Sequence, residues 1–305
     1  MNKCVAILFL ICFSLNLYAQ PKDTSKFKYP ILMDSVVVSA TRSGWDVNAF
    51  IKRVRTDTTF YKAFRSIHVV PFTADNDIRI YDKHSVVKAS LKSKTRQNRK
   101  NGCRDMDVLV EKTMGDFYNR KKEYNYYTAE LYAYLFFTPK PVCGETDAVA
   151  NYLHDRGKGQ LEKSKYQLKQ LIFNPGSHIE GIPFMGDKAA IFEPEVAKLY
   201  DFHLLSEDYN GMECYVFKAI PKKGESKNVV YNELTTWFRK SDYAIVARDY
   251  SLSYHTMLYD FDVRIKARTT IVNSRLLPEK IDYDGNWHVF TKDRERVKFI
   301  AQFKY

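Results

Sequence analysis

The sequence predicts an α+β protein whose sheet is antiparallel, and three observations support this. Strand-like runs with alternating apolar and polar residues fill the C-terminal third, residues 202–305. Apolar residues recur at helical spacing in two separate stretches, 46–65 and 145–173. The chain contains 22 Tyr and 20 Phe, and aromatic residues favour strands. A sheet with one dry face must bury that face, and the helices are the available cover.

The C-terminal strands show the clearest pattern of the chain. Val263, Ile265 and Ala267 point one way, while Arg264 and Lys266 point the other. Short polar turn signals join neighbouring runs, which is typical of an antiparallel meander with one face in water. The predicted strands are 202–208, 212–221, 229–240, 243–256, 258–272, 278–290 and 294–305.

The region 46–65 predicts two amphipathic helices. Phe50 and Val54 belong to the apolar stripe of the first helix, and Phe60 and Phe64 to that of the second. Each helix needs a surface to pack against.

From residue 67 the apolar period changes to two, which predicts further strands. Residues 87–92 alternate like a strand with one face in water, and residues 106–112 continue in strand character. Residues 123–137 are apolar on both faces, which predicts a strand covered on both sides, with a helix as the alternative. The stretch 145–173 predicts helix again, ended by Asn174-Pro-Gly176.

The N-terminus predicts export. Residues 1–19 form a cleaved signal peptide, because Lys3 precedes an apolar run that is shorter than the roughly 20 residues of a membrane span. A membrane anchor is the competing interpretation. The Ala19-Gln20 junction is similar to signal-peptide junctions of Gram-negative bacteria of the Bacteroidetes group. We expect an extended leader over 20–42 and a single domain over 43–305.

Three cysteines follow the predicted signal peptide. Cys103 and Cys143 lie in loop-like settings at the ends of strand-like runs, whereas Cys214 lies inside a strand. In an oxidising compartment one bridge can form, and we expect it between Cys103 and Cys143.

Basic residues crowd the region around 83–104, within a chain of net charge +12. In an exported protein this pattern favours contact with an anionic membrane surface over nucleic acid. A solvated strand face is the alternative. The candidate contact residues are Lys88, Lys92, Lys94, Arg96, Arg99 and Lys100.

No motif predicts catalysis, a cofactor or a metal. The chain lacks the zinc-protease, nucleophile-elbow and phosphate-loop patterns. His178-Ile-Glu180 is better explained by a surface loop, and Asp75-Asn-Asp77 lacks the glycine and distant glutamate of a calcium loop. We therefore expect a protein that is not an enzyme and holds no cofactor, although a triad assembled from distant residues is not excluded by sequence.

One segment carries a family resemblance. The hairpin-like stretch 234–250, together with Gly211-Met-Glu-Cys-Tyr-Val-Phe217 and Leu276-Leu-Pro-Glu-Lys-Ile281, resembles the LolA/LppX-like periplasmic lipoprotein carriers and outer-membrane lipoprotein-sorting proteins. The resemblance covers about the last hundred residues. It implies a curved antiparallel half-barrel with helices packed on its concave face, a shelter for acyl chains.

The resulting hypothesis is an exported, non-enzymatic protein of the periplasm or outer-membrane periphery that binds a lipid or lipoprotein acyl chain. The candidate cavity residues are Trp237, Phe238, Tyr250, Tyr254 and Phe261. Ordinary packing of helices on the sheet would use the same residues. The first alternative is therefore an accessory module with a solid core that docks on an outer-membrane protein. A further alternative is an outer-membrane β-barrel.

Overall fold

The computed structural model describes residues 31–33, 47–147, 174–178, 185–256, 259–289 and 293–305. These residues form a twelve-stranded antiparallel sheet and four helices. The helices are α1 (Val47–Thr56), α2 (Thr59–Ser66), α3 (Tyr127–Phe136) and α4 (Pro194–Ala197). The strands are β1 (Ile31–Met33), β2 (Phe72–Tyr81), β3 (Val87–Lys100), β4 (Cys103–Met114), β5 (Val142–Cys143), β6 (Tyr200–Tyr209), β7 (Met212–Pro221), β8 (Tyr231–Arg239), β9 (Ile245–His255), β10 (Tyr259–Val272), β11 (Arg275–Val289) and β12 (Glu295–Lys304).

The strand order is β1-β6-β7-β8-β9-β10-β11-β12-β2-β3-β4-β5. Strands β6 to β12 follow one another as antiparallel neighbours, as the sequence predicts. The N-terminal strands β2 to β5 then extend the sheet beyond β12. The sheet does not close, so β1 and β5 lie at its two ends. Register shifts in β2, β3, β8 and β10 add local bends to the strands. The predicted antiparallel α+β architecture is confirmed.

Three hairpins turn through two residues with positive φ. Asn101-Gly102, Asn210-Gly211 and Asn273-Ser274 all have φ between 50° and 80° at both positions. This left-handed pair matches the right-handed twist of the flanking strands, and asparagine and glycine adopt it readily. The turns fix the register of β3–β4, β6–β7 and β10–β11.

Helices α1, α2 and α3 cover one face of the sheet, which we call the inner face; the opposite side is the outer face. Phe50 of α1 makes edge-to-face contacts with Tyr215 and Phe238 at 5.8 and 5.3 Å between ring centroids. Tyr132 of α3 packs on Phe299 at 4.9 Å. One buried apolar cluster joins these side chains from Phe50 to Phe303.

Helix α3 corrects the sequence prediction of a strand over 123–137. The carboxylate of Glu295 on β12 accepts hydrogen bonds from the backbone N–H groups of Tyr127 and Thr128, at 2.7 and 2.9 Å. This distant carboxylate satisfies two free donors of the helix start. Apolar residues on both sides of α3 are explained by a helix held between the sheet and neighbouring loops, with Ala129 and Tyr132 fully buried.

Predictions for 1–19, for the leader apart from Ile31–Met33, and for the helical stretch beyond residue 147 lie outside the described residues. In the described part of the chain, none of the helices has the length and apolarity of a membrane-spanning segment.

Candidate apolar site on the inner face

Four of the five predicted cavity residues lie on the inner face. Phe238 and Tyr250 are buried in its centre. Tyr254 on β9 and Phe261 on β10 are paired across the two strands and remain partly exposed, with ring centroids 6.2 Å apart. The alternation of β9 and β10 brings these side chains onto one surface.

Trp237, the fifth candidate, lies on the outer face. Its ring contacts Tyr209 at 5.4 Å and the Arg268 guanidinium at 5.9 Å, and it packs beside buried Cys214. Successive residues of a strand point to opposite faces, so Trp237 and Phe238 cannot share a lining. The structure therefore removes Trp237 from the inner-face candidates.

The sequence analysis missed a third aromatic residue beside this pair. Trp287 on β11 lies directly opposite Phe261, and its indole Nε1 donates to Thr128 Oγ1 at 2.8 Å. Tyr127 of α3 contacts the same indole at 5.2 Å. Alternation from Ile281 along β11 would have placed Trp287 on the dry face.

Tyr254, Phe261 and Trp287 form a row across three adjacent strands, called the aromatic row below. Each side chain of this row is partly exposed, whereas the inner-face residues farther along the same strands, such as Leu252 and Ile265, are buried. The row is thus the solvent-exposed edge of an apolar surface that continues under the helices. Such an edge gives an apolar ligand a point of access.

A charged group, Arg248, lies in the centre of the inner face. Arg248 on β9 is 6% exposed, and its guanidinium carbon lies 4.4 Å from the centre of the Phe60 ring of α2. Its Nε donates to Thr236 Oγ1 at 3.0 Å. Burial lowers the pKa of Arg248, while the charge of Asp57 opposes this shift.

Tyrosines around Arg248 remain neutral. Burial raises the pKa of Tyr231 and Tyr250 above the ordinary value of 10.0. These rings contact each other at 6.3 Å, and Tyr200 donates to the Tyr231 carbonyl at 2.8 Å. Around Arg248 the inner face therefore offers aromatic rings and neutral hydroxyl groups.

A second set of buried polar groups lies where β2, β3 and β4 meet the loop after α2. The side chain of Arg104 donates to Glu145 Oε2 at 2.5 Å and to Gln97 Oε1 at 3.2 Å. His68 Nδ1 lies 2.9 Å from Glu145 Oε1. Burial acts to raise the pKa of Glu145, but hydrogen bonds from His68 and Arg104 and their charges lower it to about 2. Burial lowers the pKa of His68.

A disulfide closes this region. Cys103 at the start of β4 and Cys143 of β5 are bonded, with an S–S distance of 2.00 Å. Cys214 is a buried free thiol on the outer face, and burial raises its pKa to about 11.

The candidate anionic-surface residues do not act as one set. Lys88, Lys92, Lys94, Arg96 and Lys100 are exposed on alternate positions of β3. Arg99 has the opposite orientation and donates to the His68 carbonyl at 2.9 Å.

Acidic residues of the neighbouring strands accompany this basic face. Asp77 of β2 lies 3.7 Å from Lys92 Nζ, and Asp107 of β4 is paired in register with Arg96. Sequence spacing could not show these neighbours, because strand pairing brings them together. The stripe is consequently a mixed-charge surface with an excess of cations.

Metal-ligating groups do not converge in the described residues: no three of His, Cys, Asp and Glu lie together there. His178 forms an ion pair with the exposed Asp187 at 3.2 Å. Asn76, between Asp75 and Asp77, turns inward to Ser93 and Thr95. The two carboxylates point to the outer face, where each pairs with a cation.

No family model matches the chain, and no curated protein matches it. Among solved structures, it is similar to a DUF1329 family protein from Desulfovibrio piger, with 12% identity, a TM-score of 0.25, and coverage of 81% of this chain and 90% of that one. A protein described as an outer membrane lipoprotein-sorting domain from Vibrio parahaemolyticus gives 11% identity, a TM-score of 0.26, and coverage of 80% and 88%. A LolA superfamily protein from Nitrosomonas europaea gives 12% identity, a TM-score of 0.24, and coverage of 81% of this chain and 90% of that one.

TM-scores of this size assign no function, and the strand order and register given above define the fold.

Proposed function

We propose that this protein is an exported, non-enzymatic carrier or receptor that binds the acyl chain of a lipid or lipoprotein on its inner face. The observation that supports this most is the aromatic row of Tyr254, Phe261 and Trp287. It leaves apolar side chains accessible at the edge of a surface that is otherwise covered by α1, α2 and α3. Partly exposed aromatic side chains on an otherwise buried face add little to the stability of a core, but they can contact an apolar ligand.

The chemistry of the inner face suits an acyl chain. Removing each methylene from water contributes about 0.8 kcal/mol, so a long chain supplies enough free energy to offset the cost of ordering it. Aromatic rings provide large, rigid contact area. Beside the central rings lie neutral tyrosine hydroxyls and the cation of Arg248. At the aromatic row, Lys188 lies 5.9 Å from the centre of the Tyr254 ring, and Glu295 accepts from Thr128, the residue that also binds the Trp287 indole.

Export is proposed from the signal-like residues 1–19 and is compatible with the Cys103–Cys143 disulfide, since disulfides persist in oxidising compartments. The periplasm or the outer-membrane periphery is then the place of action. The exposed cations of β3 would face anionic headgroups there, with Asp77 and Asp107 limiting the attraction.

The experiment expresses the chain with its own N-terminus in a Gram-negative host, purifies it from the periplasm and identifies extracted lipids by mass spectrometry. We expect a co-purifying acyl lipid, and we expect Phe261→Ser to reduce its amount. Trp237→Ser is the matched control, because it removes an aromatic ring from the outer face at the same sheet. Absence of lipid from the wild type, or equal loss in both variants, would contradict the proposal.

A second candidate function is supported by β4. Its side chains Val108, Leu109, Val110 and Met114 are 58%, 39%, 50% and 47% exposed. In the described part of the chain, β4 pairs on its far side only at Cys103 and Arg104, through β5. An apolar strand with an open edge can receive a strand from another protein. This supports an accessory module that docks on an outer-membrane protein.

The docking function has its own test. We expect Val110→Lys to abolish capture of a stoichiometric partner by the exported protein while leaving bound lipid unchanged. Retention of the partner by this variant would rule out β4 as the docking edge.

A further inference from the structure

Arg248 is a buried cation whose hydrogen-bonding capacity is largely unused. Only its Nε has a hydrogen-bond acceptor, Thr236 Oγ1, in the described part of the chain. Its two Nη nitrogens carry four further N–H donors, and no acceptor among the described residues meets them. The Phe60 ring covers one side of the guanidinium plane but does not replace a charged partner.

The nearby carboxylates are occupied elsewhere. Asp57 influences Arg248 by its charge, but its oxygens accept from the backbone N–H and the hydroxyl of Thr59 at 3.1 and 2.9 Å, at the start of α2. Asp249, the next residue on β9, points to the outer face and pairs with Arg268. Neither forms an ion pair with Arg248.

Buried charges in proteins are normally paired, because an isolated ion loses its hydration without compensation. Arg104 follows this rule in the same molecule, where Glu145 and Gln97 accept from its nitrogens. Arg248 is more deeply covered, and among the described residues no carboxylate or amide oxygen accepts from it. An arginine presents its donors in a planar fork that fits a carboxylate or a phosphate.

We propose that Arg248 binds the anionic group of the ligand, a carboxylate or a phosphate at the end of its acyl chain. This inference rests on the proposed function and specifies the ligand class for the same site. The acid group would lie in the centre of the inner face, on the Nη nitrogens of Arg248. The acyl chain would extend towards the aromatic row.

The strand geometry supports this direction. Arg248, Tyr250, Leu252 and Tyr254 occupy alternate positions of β9 and share the inner face. Six residues of strand separate Arg248 from Tyr254, a span of about 20 Å. On β9 the inner-face residues between the cation and the row are Tyr250 and Leu252, both buried, which suits a long apolar chain with one anionic end.

The test measures the affinity of the full chain for three probes: palmitate, palmitoyl lysophosphatidate and hexadecanol. The first two present a carboxylate and a phosphate, and the third presents the same chain without charge. In the wild type we expect one of the anionic probes to bind about 10-fold to about 100-fold more tightly than hexadecanol, since a charge-assisted hydrogen bond contributes on this scale. The tighter anion identifies the acid group.

Variants separate the role of Arg248 from general charge. In Arg248→Met we expect the preference for the anion to disappear while hexadecanol still binds; Arg248→Lys should keep part of it. Arg264→Met is the matched control, because it removes an exposed cation from the outer face of the adjacent strand β10 and should keep the full preference. Circular dichroism and melting curves verify that each variant is folded.

Each outcome supports or overturns the role of Arg248. Equal affinity of the wild type for all three probes, or an unchanged preference for the anion in Arg248→Met, overturns this inference. If hexadecanol still binds in that case, the proposed function stands. Failure of all three probes to bind overturns the proposed function and this inference with it. Should Arg248→Met not fold, the wild-type comparison and Arg248→Lys carry the test.

Discussion

Two parts of the inner face differ in how their buried polar side chains are hydrogen-bonded. Around β2 to β4, Asn76 accepts from the Tyr132 hydroxyl at 2.6 Å, and Gln97 donates to the carbonyls of Ile67 and Val70 at 2.6 and 2.8 Å. Around β8 to β10, Arg248 has one acceptor for its five donors within the part of the chain that the structure describes. In the first part, Asn76 and Gln97 join a helix and a loop to the sheet. In the second part, the Nη donors of Arg248 have no acceptor among the described residues.

This difference separates structural from functional polarity in one fold. A polar network with every member satisfied specifies a unique packing. A buried donor without an acceptor weakens the folded state, and proteins retain such groups where a ligand completes them. If the two parts differ in this way, substitutions in them should change the free energy of unfolding differently.

The largest loss should come from Glu145→Ala. This change leaves Arg104 buried without its carboxylate partner and also removes the partner of His68. Breaking one side of a buried ion pair costs about 3–5 kcal/mol. Urea unfolding measures the free energy of unfolding, with Glu123→Ala on the exposed β4–α3 loop as the control. A loss below about 1 kcal/mol would show that the pair behaves like a surface salt bridge.

Acid should weaken the same region. The folded pKa of Glu145 is about 2, below its ordinary value of 4.5, so its stabilising effect is complete above pH 4.5 and is lost as the pH falls towards about 2. His68, whose pKa is lowered from 6.5 by burial, adds a loss of the same sign as the pH falls below 6.5. Melting temperatures across this range should fall less steeply in Glu145→Gln than in the wild type. Parallel curves would contradict the assignment.

A smaller loss is expected for Tyr132→Phe. The change keeps the ring on Phe299 and removes the hydroxyl that donates to Asn76 Oδ1. An unsatisfied buried acceptor costs about 1–3 kcal/mol. Tyr254→Phe, at a partly exposed position of β9, is the matched control. Equal unfolding free energies for both variants would mean that the Asn76 network contributes no stability.

No loss of stability, or a gain, is expected from Arg248→Met. Replacing a poorly paired buried charge with an apolar side chain is neutral or stabilises by about 1–4 kcal/mol. Urea unfolding of ligand-free protein, compared with Glu145→Ala, shows whether the two parts of the inner face differ. A loss of about 3 kcal/mol or more would place Arg248 in the structural class with Arg104.

The sequence predicted the features that depend on local pattern. Alternation and turn chemistry located β6 to β12, since each strand carries its own signal; Asn210-Gly211 and Asn273-Ser274 provided two of the hairpin turns. Helices α1 and α2 were found from their apolar stripes. The outward orientation of Trp237 also follows from alternation, once Phe238 is assigned inward.

Features that depend on distant contacts could not be predicted. The start of α3 is stabilised by Glu295, more than 160 residues away in sequence. Whether a strand arginine is paired depends on which residue faces it across the sheet. Arg268 meets Asp249, whereas Arg248 meets Thr236 and Phe60. Sequence alone gives these two arginines the same appearance.

We propose that the inner face holds an acyl chain that enters at the aromatic row. Native mass spectrometry of the protein purified from the periplasm tests it most directly, because the bound mass and its stoichiometry are read together. We predict one acyl lipid per chain, released when the protein is unfolded and depleted by Phe261→Ser but not by Trp237→Ser. A wild-type protein whose native mass equals that of its polypeptide would contradict the account.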